Sequence, residues 1–305
     1  MKNQTGKSFV KMLALVLGIA CTQSAPAQTF KHVNVKGGVP LVQIAAGGAS
    51  VWALASNGNP YILMGKTFVL ANSISLTQLA VGGGNAFQKD AVWGLNSSGN
   101  IYKATKSGTL WLFSQVPGVL DFIAVGIGYK DTCHPYEVWG LSSTLIYRYN
   151  FCSQSFEQEP GTLLSLAVGG GDVWGYEGTA KLYRFDFFSQ SFELVDQFGE
   201  VEQLTVGPNG VWASVNGGNM VEVDWYRDFQ GLHHVVASLY GQSIQLKAGG
   251  DGVWGIGPVQ QVYRLDSDLA AFFQIPGALV SISVGSGGGV WGIDGAGKAY
   301  AFSTP

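Results

Sequence analysis

Apolar and polar residues alternate along this chain in short runs, each broken by Gly, Asn, Ser or Pro. A period of two places every second side chain on one face, the mark of a half-buried strand, and no segment sustains a helical period. The runs themselves repeat. Val-Trp recurs at Trp52, Trp93, Trp139, Trp174, Trp212, Trp254 and Trp291, at spacings of 41, 46, 35, 38, 42 and 37 residues. Seven copies of a unit of about 40 residues match the period of four-stranded propeller blades.

Each copy divides into four pieces. An apolar stretch ends in glycine, as in LTQLAVGG from Leu76 and LLSLAVGG from Leu163; the Val-Trp strand follows and ends at a Gly, Ser or Asn turn. A third piece carries Tyr and then a variable, often basic residue (IYKA, IYRY, LYRF, VYRL), and a fourth is aromatic and apolar, as in LWLFSQVPG and AFFQIPG. A lone four-stranded sheet cannot bury both faces, so successive sheets must stack radially. The seventh copy stops after GKAYAF, one strand short, while TFKHVNVKGG from Thr29 precedes the first copy as a spare strand. The predicted fold is therefore all-β: a β-propeller of seven four-stranded antiparallel blades, the last closed by the N-terminal strand.

Composition fits this reading, with 44 glycines and only 12% charged residues in 305. It also sets residues 1–27 apart. Lys2, Lys7 and Lys11 precede an apolar run from Met12 to Cys21, and Ala25-Pro26-Ala27 offers a small-residue cleavage site, the layout of a secretory signal peptide. A run of about ten apolar residues is too short to span a bilayer. Acylation at Cys21, giving a lipid-anchored or periplasmic protein, is the alternative, although Gly18 stands where a branched aliphatic is expected. The mature protein would be one propeller domain, residues 28–305, in a secreted setting. The 17 basic residues less the leader's three lysines leave 14 against 20 acidic, a net charge of about −6. Such a balance argues against nucleic acid and anionic membranes as partners.

Candidate chemistry is sparse. Gly250, Gly252 and Gly255, and again Gly287, Gly289 and Gly292, match G-x-G-x-x-G, but each leads into a Val-Trp strand rather than a phosphate-binding helix. Turns needing positive φ account for glycines in that slot. The seven tryptophans are read as wedges between blades, since a residue repeated in every unit builds the repeat. After the third-piece tyrosine come Lys103, Arg148, Arg184 and Arg264. A cation beside an aromatic ring can hydrogen-bond hydroxyls while the ring stacks on an apolar face. This nominates Tyr102, Lys103, Tyr147, Arg148, Tyr183, Arg184, Tyr263 and Arg264 as glycan-binding residues, against the alternative of ion-paired edge residues. Cys133 and Cys152 fall in turns at one end of the same blade and are expected to form a disulfide. His32, His134, His233 and His234 are scattered or adjacent, and no hydrolase or zinc motif is present, so neither enzyme activity, metal nor cofactor is expected. Asn96-Ser97-Ser98 is a glycosylation sequon, meaningful in a eukaryotic source.

With these pieces in place, LTQLAVGGGNAFQKDAVWGLNSSGNIYKA and LVSISVGSGGGVWGIDGAGKAY resemble the tectonin repeat, over almost all of the mature chain. The resemblance implies a propeller and, as in fungal tectonins and fish-egg lectins, a multivalent carbohydrate-binding protein that recognises cell-surface glycans, some methylated. Two departures limit it. Fungal members have six repeats where seven stand here, and Val221 and Ile62 break the Tyr-base pair in the fifth and first copies, predicting degenerate sites there. A non-enzymatic scaffold for protein partners is the second reading. A metal-dependent lyase or hydrolase at the channel mouth, the lyase suggested by the likeness of VGPNGVW to antibiotic-inactivating propellers, is the third.

Overall fold

The computed structural model describes residues 29–84, 89–127, 131–178, 181–197, 200–208, 210–227, 233–242, 245–269 and 271–303; the leader expected at 1–27 lies outside them. These residues form 28 strands and no helix. Five four-stranded sheets stand alone, and an eight-stranded sheet is two further blades joined at their outer edges. The join is slight: Asn34 and Val35 pair in parallel with Thr67 and Phe68. Thr29 to Val33, by contrast, pair antiparallel with Ala299 to Ser303, so Thr29–Val35 supplies the outer strand of the seventh blade. The first and last described strands share one blade and close the ring, as the strand count of the sequence predicts.

Seven inner strands line the central channel: Leu41–Ala46, Gln78–Gly82, Phe122–Gly126, Ser165–Gly169, Val201–Gly207, Gln245–Gly249 and Ser281–Val284. Each touches the next, and the last touches the first. Their channel-side edges have no backbone strand to pair with, and unpaired edges are costly when enclosed. Side chains take over. Gln43 donates to the Leu79 carbonyl and accepts from the Leu79 amide, both at 2.8 Å, and Gln78 clasps Ile123 of the third blade in the same way. The Leu246 amide donates to Gln203 and the Ile282 amide to Gln245.

The core is divided as the fold is. Seven apolar clusters each lie between successive blades, and each contains one of the seven repeated tryptophans. Trp52, Trp93, Trp139 and Trp254 each meet an aromatic ring of the following blade edge-on, at 4.6 to 4.7 Å: Trp111, Tyr149, Phe185 and Phe302 respectively. Edge-to-face contact adds about 0.5–1.5 kcal/mol beyond area burial, so the rings set the angle between blades as well as filling it.

The glycines act differently from expectation. Gly82, Gly126, Gly169, Gly207, Gly249 and Gly285, which end the apolar stretch, are not in the positive-φ region. A methyl group on Gly82, Gly169 or Gly285 would strike a backbone carbonyl of the following blade, so this glycine is required by close approach at the channel rim. The glycine after Trp serves a second contact: at Gly94, Gly140, Gly175 and Gly292 a methyl would collide with the first leucine of the same blade. In the turns that follow, positive φ falls on later residues, such as Gly170 and Gly171.

Candidate functional site

In every blade the tryptophan and the variable third-strand residue are direct cross-strand partners: Trp93 faces Lys103, Trp139 faces Arg148, Trp174 faces Arg184 and Trp254 faces Arg264. Cross-strand partners lie on one face, whereas neighbours along a strand point to opposite faces. The expected pairing of Tyr with the next residue in one site therefore does not occur. Tyr102, Tyr147 and Tyr183 pack in the clusters shared with the preceding blade, and Tyr263, beside Arg264 on its strand, also takes the opposite face. The ring beside each cation is the tryptophan. Lys103 Nζ lies 5.6 Å from the Trp93 ring and 4.7 Å from Phe151 of the next blade, and burial lowers its pKa below the ordinary lysine value. Arg148 and Arg264 stand 5.4 and 5.5 Å from Trp139 and Trp254.

Acidic residues just before the tryptophan complete the unit. Arg148 is 2% exposed and donates to both oxygens of the fully buried Glu137, at 2.7 and 2.9 Å, and to Gln190 of the fourth blade. Trp139 Nε1 donates to the same carboxylate at 2.7 Å. Arg148, expected to reach a ligand, is thus enclosed by its own ion pair and the neighbouring blade. Arg184 pairs with Asp172 at 2.6 Å and Arg264 with Asp251 at 3.4 Å, and both pairs are partly exposed. The sequence carried this signal in EVW, DVW and DGVW, where an acid stands two or three residues before Trp.

An open cleft lies between the fifth and sixth blades. A cavity of about 360 Å³ is lined by Trp212 and Glu222 from one blade and by Asp251, Arg264, Leu265 and Ser267 from the other. It opens because Leu265 occupies the third-strand position at which Tyr149, Phe185 and Phe302 fill other clefts. Glu222 faces Trp212 in the register position that holds a base in four other blades. Among the described residues Asp251 Oδ2 finds no hydrogen-bond partner although it is buried. The fifth copy, expected to be degenerate, supplies Trp212 and Glu222 to this cleft. A second cavity, of about 350 Å³, places Tyr183 against Glu177 and Phe192 of its own blade and Pro160, Gly161 and Thr162 of the third. Burial, then the hydrogen bond to Glu177, pushes the Tyr183 phenol up to about 12.

The disulfide expected between Cys133 and Cys152 is present, with Cα atoms 5.0 Å apart, and Phe151 N donates to Cys133 O beside it. It ties the loop entering the second strand to the turn before the outer strand, at the loop end of the third blade. The central channel holds two more cavities, which share Ala46, Val81, Val125, Val168, Val206, Ala248 and Val284, one apolar residue per blade forming a collar. Among the described residues no three His, Cys, Asp or Glu side chains gather as metal ligands; the side chains of His233 and His234 lie outside that description.

Among solved structures, YCF48 from Cyanidioschyzon merolae is similar to this chain with a TM-score of 0.63 at 11% identity, covering 90% of this chain and 98% of its own. YCF48 bound to D1 peptide gives 0.63 at 14%, covering 92% and 100%. Prp20p from Saccharomyces cerevisiae gives 0.61 at 10%, covering 86% and 82%. At such identities these likenesses speak to the propeller fold alone. No curated protein matches the chain. The family profile described as Tectonin domain matches residues 40–144 and 162–304, on the same repeats that carry the Trp-base-acid units, and the chain therefore belongs to the tectonin family.

Proposed function

We propose that this protein is a secreted, non-enzymatic lectin that binds cell-surface glycans in the clefts between its blades. The observation that carries the reading is the cleft between the fifth and sixth blades, where an indole, two carboxylates and a guanidinium line a cavity of about 360 Å³. Such groups suit a sugar ring: carboxylates accept from hydroxyls, the guanidinium donates to them, and apolar C–H groups pack on the face of an aromatic ring. The partly exposed Arg184 with Asp172, and Lys103 above its rings, offer related positions in other clefts. Several weak sites on one rigid body gain by avidity on a glycan-covered surface. Secretion rests on the leader expected at residues 1–27.

A glycan array that includes O-methylated sugars tests this reading. We expect binding to a restricted set of glycans, weakened at least tenfold by Glu222→Gln combined with Arg264→Ala, with an unchanged circular dichroism spectrum. Binding undisturbed by both changes would sink the assignment of the cleft. Binding to no glycan would favour protein docking at the loop end, where Phe188 is 96% exposed.

A further inference from the structure

One position on the inner strands breaks the pattern of the repeat. The residue two before the rim glycine, directly opposite the tryptophan in each blade, is Ala45, Ala80, Ala124 and Ala167 in the first four blades, then Thr205, Lys247 and Ser283. Small side chains there keep the channel open. Lys247 instead extends into it, exposed to the lumen, and desolvation by the channel walls lowers its pKa below the ordinary lysine value.

Among the described residues no acid pairs with this ammonium. The other charged residue lining that part of the channel is Glu202, whose carboxylate is engaged by the Ser214 hydroxyl and the Gly217 amide of its own blade. The neighbours of Lys247 in its own row carry hydroxyls. Thr205 Oγ1 accepts from the Ala248 amide at 3.0 Å and Ser283 Oγ from the Ala46 amide at 2.9 Å. With an acceptor site on each oxygen already filled, each hydroxyl keeps its proton to give. Three consecutive blades thus present an ammonium between two hydroxyls, with an apolar collar directly beyond.

We propose that the central channel is an anion site, in which Lys247, Thr205 and Ser283 hold the carboxylate of a slender ligand whose aliphatic part lies against the collar. A single cation in a molecule of net negative charge suits a monoanion better than a phosphate, whose second charge would have no partner. The carboxylate could come from a small organic acid or from the C-terminus of a peptide. This site is separate from the clefts between blades, and its failure would leave the glycan reading untouched.

Isothermal titration with butyrate, and with butyramide as the uncharged isostere, tests the proposal on the mature protein. We expect one butyrate per chain, no heat from butyramide, and at least a tenfold weaker butyrate affinity in Lys247→Met. Thr205→Val with Ser283→Ala should weaken butyrate less, and Lys247→Arg should preserve it, which separates loss of the charge from loss of the fold. Titration with acetyl-trialanine as acid and as amide then identifies the source: selective binding of the acid extends the site to peptide termini, and binding of butyrate alone restricts it to small acids. Absence of butyrate and peptide-acid binding, equal binding of butyramide, or binding unchanged in Lys247→Met would overturn the proposal.

Discussion

Arg148 and Glu137 show how far the meaning of a residue depends on its surroundings. In sequence Arg148 is one of four bases after the third-strand position, equivalent to Arg184 and Arg264; in the structure it is fully engaged with a buried carboxylate. Removing one partner of such a pair leaves an uncompensated charge and costs about 3–5 kcal/mol, whereas replacing both with apolar residues of similar volume is often neutral. Glu137→Leu and Arg148→Met are therefore each expected to lower the urea midpoint strongly, and the double variant to recover most of the loss. Additive losses would mean that the pair is not coupled. The same comparison on Asp172 and Arg184, which are partly exposed, should give a much smaller effect.

At the scale of the strand, two kinds of glycine allow the blades to meet. The rim glycine lets an inner strand approach the backbone of the next, and the glycine after Trp makes room for the first leucine of its own blade. Gly169→Ala would drive a methyl into the Val206 carbonyl, which cannot rotate away as a side chain could. Overpacking of this kind costs about 1–3 kcal/mol, and we expect that loss in chemical denaturation. Gly295→Ala, where the nearest atom is 3.9 Å from the added carbon and φ is not positive, should change stability little. Equal effects at the two sites would remove close approach as the reason for the rim glycine. The Gln clasps belong to the same scale, because they satisfy edges that the backbone leaves open, and a Gln before Leu or Ile at the same place in four inner strands made them visible only in retrospect.

Across the whole molecule, closure rests on a seven-residue strand, Thr29–Val35, that joins the last blade to the chain's beginning. Deleting residues 29–35 would expose the edge of Ala299–Ser303 and remove Phe30, which packs edge-on against Trp254 of the sixth blade. The expected outcome is a broadened unfolding transition and concentration-dependent self-association, read by denaturation and by light scattering. A sharp transition at the original midpoint from a monomer would show that the ring does not depend on this closure. Proteins built of repeats lose cooperativity when an end interface is lost, and a closed ring protects its ends from that fate.

The sequence by itself determined the all-β class, the seven blades, the shared last blade, the wedge of tryptophans and the disulfide, because all of these follow from local period, strand count and turn position. It also placed the cations of the third strand, though not their company. Which face each side chain takes follows from alternation and was legible in principle; what it meets there was not. The tertiary structure alone decided that Arg148 is shut in by Gln190, that Leu265 leaves the cleft beside Trp212 open, and that Thr205, Lys247 and Ser283 share one row of the channel. Each of these contacts joins residues about one repeat apart, and such partners come together only when the blades have stacked.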